Sequence, residues 1–322
     1  MPGTDAAALS LDGVFGQRLE ATASLARRTN KATVLVVQQF PVVHDEGLAF
    51  PHVRESIANI MAFVELGNAN DLARVLDLGG DTFNWIAIDC DHKRPESGAI
   101  VDLARARVAA ARLLFYSDNQ VWFDSGLDMV QRLEGGVTGK TVVLCGSGPL
   151  AECFAGILPR IGATAATIAD VVSRKLSASI VLGLSQKQES IGDDIVSVLP
   201  PNSAIYDIGL GNLSSTAAAT ARARGLRLYR LDNRAGVSSA IVRLLETDYM
   251  VDKVMGQLRI KNVEVVAGGL LAPPDAVIVD DIRNPMLIFG VADGRGRFKE
   301  TPTAEDNARI EFVDSLIKRS SS

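Results

Sequence analysis

A two-domain α/β fold is predicted by three features of the chain. Val- and Ile-rich apolar runs alternate with helical patterns for most of its length. The runs are nearly continuous rather than alternating with polar residues, as in strands covered on both faces of a parallel sheet. At 322 residues the chain is also close to the size at which a single core divides. The expected layout is a small N-terminal α/β domain over residues 1–134, then a second α/β domain over 135–322 that ends in a hairpin and a helix.

In the first domain the strand TVLVV (33–37) precedes the loop QQFPVVHDEGLAFPH and an expected helix over residues 53–66. A helix over 72–78, the strand WIAID (85–89), a helix over 98–111 and the strand RLLFY (112–116) complete it. A helix over 125–133 follows, opened by Ser125 and Asp128 in a capping-box arrangement, and GGVTGK marks the boundary. Beyond it, KTVVLCGSGPLAECFAGILPRIGA reads as strand, glycine turn, helix and glycine stop. TAATIAD, SIVLGLS, SAIYDIG and LRLYRLD are further strands, with helices over 193–199 and 213–224 between the later ones. After a helix over 237–255 come VEVVAG, AVIVDD and a hairpin turning at DGRG, and a closing helix over 304–318 carries Ile310, Val313, Leu316 and Ile317 on one face.

Composition narrows the classes of function. With 33 basic and 38 acidic side chains the formal charge is −5, which speaks against a nucleic-acid partner, because that affinity comes from clustered Lys and Arg. No run of eighteen apolar residues exists, and MPGTDAAALSLDG has neither a basic n-region nor an apolar h-region, so no membrane partner and a cytoplasmic location are expected. Cys90, Cys145 and Cys153 form no CxxC pair, and the spacing of His44 and His52 is not that of a metal site, so no metal is expected.

The sharpest motif is GSGPLA. Gly146, Gly148 and Ala151 match G-x-G-x-x-G/A between a predicted strand and a predicted helix, which makes the second domain Rossmann-like. The first glycine serves a tight turn, the second lets the backbone approach a pyrophosphate, and the helix N-terminus offers free N–H groups to phosphate. Gly146, Ser147, Gly148, Pro149 and Leu150 are therefore the expected nucleotide-binding residues. Asp170 is expected to close the next strand and accept hydrogen bonds from ribose hydroxyls, which favours NAD; Arg174 and Lys175 would instead suit the 2′-phosphate of NADP. Only Val171 to Ser177 separate Asp170 from the next strand, so the adenine side is expected to be shortened. In DIGLGN, Gly209 and Asn212 would line the nicotinamide side.

Two strand ends carry dense polar groups: Asp89, Asp91, His92 and Lys93 in DCDHK, and Ser117, Asp118 and Asn119 in SDNQ. Ligands of open α/β sheets bind outside the carboxyl ends of strands, so Asp118, Asn119, Asp91 and His92 are the candidate catalytic residues. The same residue types also form turns, and that reading stays open. Arg234 in LDNRAG has the fork geometry to clamp a carboxylate. His52 in PHVRES is either a substrate contact or part of a helix entrance.

SDNQVWFDSGLDMVQRLEGGVTGK together with the glycine turn resembles the S-adenosylhomocysteine hydrolase and methylenetetrahydrofolate dehydrogenase group, in which an Asp-Asn pair and a linking helix precede the GxG segment. Leu114 stands where the hydrolase has a lysine, and the hydrolase's C-terminal Lys and Tyr tail is absent. FPHVRESIANIMAF, ARLLFYSDN and the GxG unit, in that order, resemble the dehydrogenase that forms pyrrolysine. That resemblance implies a small substrate domain on a nicotinamide-binding one, with Asp118 and Asn119 near the substrate.

The function expected from all of this is an NAD(P)-dependent oxidoreductase acting on a small amino-acid-like or amine-bearing metabolite, with Asp118 or Asp91 orienting or deprotonating the amine. A homodimer is expected. Two alternatives stay open: a hydrolase or lyase with a retained NAD, and a noncatalytic nucleotide-binding protein.

Overall fold

The computed structural model describes residues 11–39, 48–49, 53–93, 95, 97–170, 178–185 and 189–320. The fold is α/β, and the chain forms two compact units, Met1–Ile241 and Val242–Ser322. The line expected at residue 134 falls inside the first unit, between its two sheets.

The first sheet starts after helix α1 (Leu11–Thr29). Its strands are β1 (Ala32–Gln39), the two-residue β2 (Leu48–Ala49) and β3 (Arg54–Glu55), β4 (Asn59–Leu66), β5 (Trp85–Asp89) and β6 (Leu113–Tyr116). β4, β1, β5 and β6 lie side by side and parallel, and β2 and β3 pair antiparallel with β4. Helices α2 (Ala69–Gly79) and α3 (Ser97–Arg107) join α1 over one face, where Phe15, Leu72, Val75 and Ile100 pack on Leu35, Val64 and Ile88.

The helix expected over 53–66 is instead a hairpin and a strand. Arg54 and Glu55 pair back onto Met61 and Ile60 through a turn in which the Ser56 N–H donates to the Asn59 carbonyl at 2.9 Å. Asn59 to Leu66 then match Ala32 to Gln39 residue for residue. Every β4 side chain but Glu65 is buried. A strand covered on both faces has no polar period, so a short apolar run cannot be told from a buried helix by periodicity; the ladder with β1 decides it. Helix α1 went unread because only Phe15 and Thr22 of its described side chains are buried, too narrow a stripe to register.

Helix α4 (Asp118–Glu134) leads from the first sheet to the second. Its cap is Ser117, whose hydroxyl accepts from the Gln120 N–H at 3.2 Å, so the capping signal is S-x-x-Q at 117–120. Ser125, expected as the opener, is buried in mid-helix where a later helix crosses: a Cβ on Gly236 would stand 1.9 Å from its Oγ. On the same helix, Phe123 meets Phe154 edge to face at 5.1 Å.

The second sheet contains β7 (Thr141–Cys145), β8 (Thr164–Ala166), β9 (Ile180–Gly183), β10 (Ala204–Asp207) and β11 (Arg227–Arg230), all parallel in the order β11-β10-β9-β7-β8. α4 and α5 (Pro149–Arg160) cover one face, and α6 (Asp193–Val198) and α7 (Ser215–Ala223) cover the other. The chain leaves β7 toward β8 on one side and builds β9, β10 and β11 on the other, so the switch of direction lies at β7. Helix α8 (Arg234–Tyr249) follows, continued by a π-helical turn over Met250–Val254.

The second unit holds β12 (Gly256–Ile260), β13 (Val263–Ala267), β14 (Val277–Val279) and β15 (Ile288–Val291) in that order. Helix α9 (Ala304–Ser320) sets Val313 against Val263, Val265 and Val277. The hairpin turns at DGRG as expected: the Asp293 N–H donates to the Arg297 carbonyl at 3.0 Å, with Gly294 and Gly296 at positive φ. Among the described residues no helix is long and apolar enough to cross a membrane.

Candidate functional site

Three loops converge beyond the carboxyl ends of β7, β9 and β10. Gly146 has φ +122°, and a Cβ there would stand 2.6 Å from the Ser185 nitrogen; a Cβ on Gly209 would stand 2.1 Å from the Ser185 carbonyl oxygen. Both contacts exclude any side chain. Asn212, fully buried, binds the loops together: its Oδ1 accepts from the Ser185 N–H at 2.9 Å and the Ser190 hydroxyl at 2.6 Å, and its Nδ2 donates to the Ser185 carbonyl at 2.9 Å and to Asp207 Oδ1 at 2.8 Å.

Gly148 is different in kind. It caps α5 at φ +98° with Pro149 following, and a Cβ built on it would meet nothing within 4 Å. The open space lies before a twelve-residue helix whose N-terminal amides lack intrahelical acceptors. Leu150 turns its side chain into the core, so only its backbone faces that end. Asp170 does not close β8, which ends at Ala166. Its carboxylate accepts from the N–H and hydroxyl of Thr167 at 3.0 and 2.7 Å, and its own N–H donates to the Thr167 hydroxyl, a reciprocal cap. Arg174 and Lys175 lie outside the described residues.

The carboxyl ends of β5 and β6 carry a buried acid-lysine-acid group. Lys93 Nζ is 2.7 Å from Asp89 Oδ2 and 2.7 Å from Asp118 Oδ2. Asp118 also accepts from Gln38 Nε2 at 3.0 Å and from the Trp122 indole N–H at 3.2 Å. Asp89 Oδ1 accepts from the Asp91 N–H at 3.0 Å, and Asp91 accepts from the Asn119 N–H at 2.8 Å. Two carboxylates thus share one ammonium. Burial pushes Asp89 up to about 6, Lys93 opposing and the Asp118 charge adding to the rise. Burial pulls Lys93 down, but Asp118 and Asp89 together outweigh it and hold the ammonium above its usual range. His92 is exposed.

A cleft of about 470 Å³ opens beside this group, again at strand carboxyl ends. Gln38 of β1, Phe63 and Glu65 of β4 and Trp122 of α4 line one side. Leu210 of the DIGLGN loop and the segment from Arg230 to Asn233 line the other. Gln38 and Trp122, which hold Asp118 together with Lys93, therefore reach the cleft directly. Arg54 crosses it to Asp232 at 2.8 Å, and the Ser56 and Ser238 hydroxyls meet at 2.9 Å, so the β3 segment is clasped to the start of α8.

Arg234 does not line the cleft; its guanidinium grips Asp232 at 2.7 Å. Burial raises Asp232, but hydrogen bonds from Arg234 and the charges of Arg54 and Arg234 outweigh it, leaving the carboxyl below its usual range. His44 and His52 lie outside the described residues. The structure brings Asp91 from the end of β5 beside Asp118 and Asn119 from the end of β6, and adds Lys93, Gln38 and Trp122 to them. Arg54, Glu65, Arg230 and Asp232 escaped the sequence reading. For Arg230 and Asp232 a signal existed, since both stand at the end of LRLYRLD, the same kind of position that singled out SDNQ.

The fold and this site define an α/β protein whose first unit holds two sheets, the second Rossmann-like and carrying a glycine turn of phosphate-binding form. No family model and no curated protein matches the chain. It is similar to the solved structure of hetero-hexameric glutamate dehydrogenase from Thermus thermophilus, at 14% identity and TM-score 0.42, over 67% of this chain and 68% of that one. It is also similar to L-tryptophan dehydrogenase from Nostoc punctiforme, at 11% identity and TM-score 0.34, over 67% and 74%. A third similarity is to ornithine carbamoyltransferase from Gloeobacter violaceus, at 13% identity and TM-score 0.35, over 73% and 94%. By their names these are two dehydrogenases and a transferase, and function is argued below from this chain's own residues.

Proposed function

We propose that the chain is an NAD(P)-dependent oxidoreductase acting on a small amino-acid-like or amine-bearing metabolite in the cleft between its two parallel sheets. The observation that carries this reading is Gly148: a positive-φ glycine capping α5, with open space where a side chain would stand, next to a Gly146 packed too closely for any Cβ. Backbone N–H groups of Gly146, Ser147, Gly148 and Leu150 would hold the pyrophosphate, and the loop bearing Gly209 and Leu210 leads from there to the cleft. The bound nicotinamide supplies hydride acceptance or donation. Around it the protein's part is positioning: Gln38 and Trp122, held by Asp118, face the substrate space, and Asp118 is itself ion-paired to Lys93. NAD is the proposed form, because the Asp170 carboxylate just beyond β8 repels a 2′-phosphate.

Gly148→Val tests this. Valine is strained at φ +98° and ψ −174°, a region nearly restricted to glycine, costing about 1–3 kcal/mol of stability, and its side chain fills the space the pyrophosphate needs. The variant is expected to fold and to lose NAD affinity at least a hundredfold in calorimetric titration, with wild type binding NAD more tightly than NADP. Unchanged NAD affinity in a folded variant refutes the glycine-turn site.

A further inference from the structure

We infer that the cleft reads an α-amino acid with an apolar side chain by its two charged ends, Arg230 taking the carboxylate and Glu65 the ammonium. The inference rests on the oxidoreductase reading for its chemistry, and on unmatched charge for its site.

Four ionisable side chains line the cleft, and they divide into two kinds. Arg54 and Asp232 pair with each other, and Asp232 is gripped again by Arg234, so their charges are spent on the clasp. Arg230 and Glu65 are not spent: among the described residues neither has an ion pair or a side-chain hydrogen bond, and they do not pair with each other. Arg230 ends β11 and Glu65 stands one residue before the end of β4, so the two come from the carboxyl edges of different sheets. A zwitterion between them would satisfy both at once. The guanidinium fork matches a carboxylate bidentately, and a carboxylate is the natural acceptor for an ammonium.

The surfaces between the charges select the side chain. Phe63, Trp122, Leu210 and Leu231 supply apolar walls, and Gln38 is the neutral polar group among them. A third charge on the ligand would meet no free counter-charge, because Arg54 and Asp232 already hold one another. An apolar amino acid of leucine size fits a cleft of about 470 Å³ with room left for a nicotinamide edge.

The test uses the full chain and three probes: L-leucine, L-leucinamide, which lacks the carboxylate, and N-acetyl-L-leucine, which lacks the ammonium. Binding is read by ligand-observed NMR and calorimetry with and without NAD. Wild type is expected to favour leucine over each blocked form at least tenfold. Arg230→Met should abolish the discrimination between leucine and leucinamide while retaining that against N-acetyl-leucine, and Glu65→Gln should do the reverse. Thermal melting of both variants near wild type confirms that the fold is kept. Equal binding of all three probes, no leucine binding, or variants that lose both discriminations together would overturn the inference. NAD titration of the same samples separates the two claims. NAD bound without leucine sinks this inference and leaves the cofactor reading, whereas leucine discrimination without NAD binding does the opposite.

Discussion

Lys93→Met is expected to destabilise the first unit by about 3–5 kcal/mol at pH 8, the range for removing one partner of a buried ion pair. The size follows from counting charge. Lys93, Asp89 and Asp118 are all buried or nearly so, and the group carries one net negative charge as it stands. Removing the lysine leaves two buried carboxylates facing each other, whereas Asp118→Asn leaves a neutral Lys93–Asp89 pair and should cost far less. Urea denaturation of both variants reads the contrast. The loss in Lys93→Met should also shrink at pH 5, where the orphaned carboxylates take up protons. A Lys93→Met variant within about 1 kcal/mol of wild type at pH 8 would mean that the ion group does not brace the ends of β5 and β6.

Asp89 should make the protein less stable as the pH rises from 4 to above 6. Its ordinary value is 3.8, and burial first, then the Asp118 charge, carry it to about 6 against the pull of Lys93. Between those values the folded chain keeps a proton that the unfolded chain has released. The stability is therefore fully present below about 3.8 and lost as the pH passes through about 6. A separation of about two pH units corresponds to about 3 kcal/mol. Asp232 and Asp280 lie below the usual carboxylate range, so their contributions vary only in more acid solution. Comparing wild type with Asp89→Asn cancels what other groups add, and the variant should lack this fall. Parallel stability curves for the two proteins between pH 4 and 8 would place Asp89 in contact with water and undo the account of the group.

The sequence by itself determined the α/β class, the succession of elements from β5 to β11, the glycine turn with its helix, and the C-terminal hairpin; β12 went unread. Each of these rests on contacts local in the chain: helical periodicity, turn glycines at positive φ, a proline at the first position of α5. Even the miss at Ser125 was local, since S-x-x-Q at 117–120 is as strong a cap as S-x-x-D at 125–128, and only the packing of Ser125 against Gly236 chose between them. The tertiary structure alone decided that residues 59–66 form a strand, because β1 on one edge and the hairpin on the other satisfy that backbone. It also decided the chemistry of the site. Lys93 meets Asp118 across 25 residues of chain and Arg54 meets Asp232 across 178. A charged side chain at a strand end has the same local sequence whether its partner is water, a ligand or a distant opposite charge. The fold spends Arg54, Asp232, Lys93 and Asp118 on one another and leaves Arg230 and Glu65 open, and that allocation depends on which strand ends the two sheets bring together.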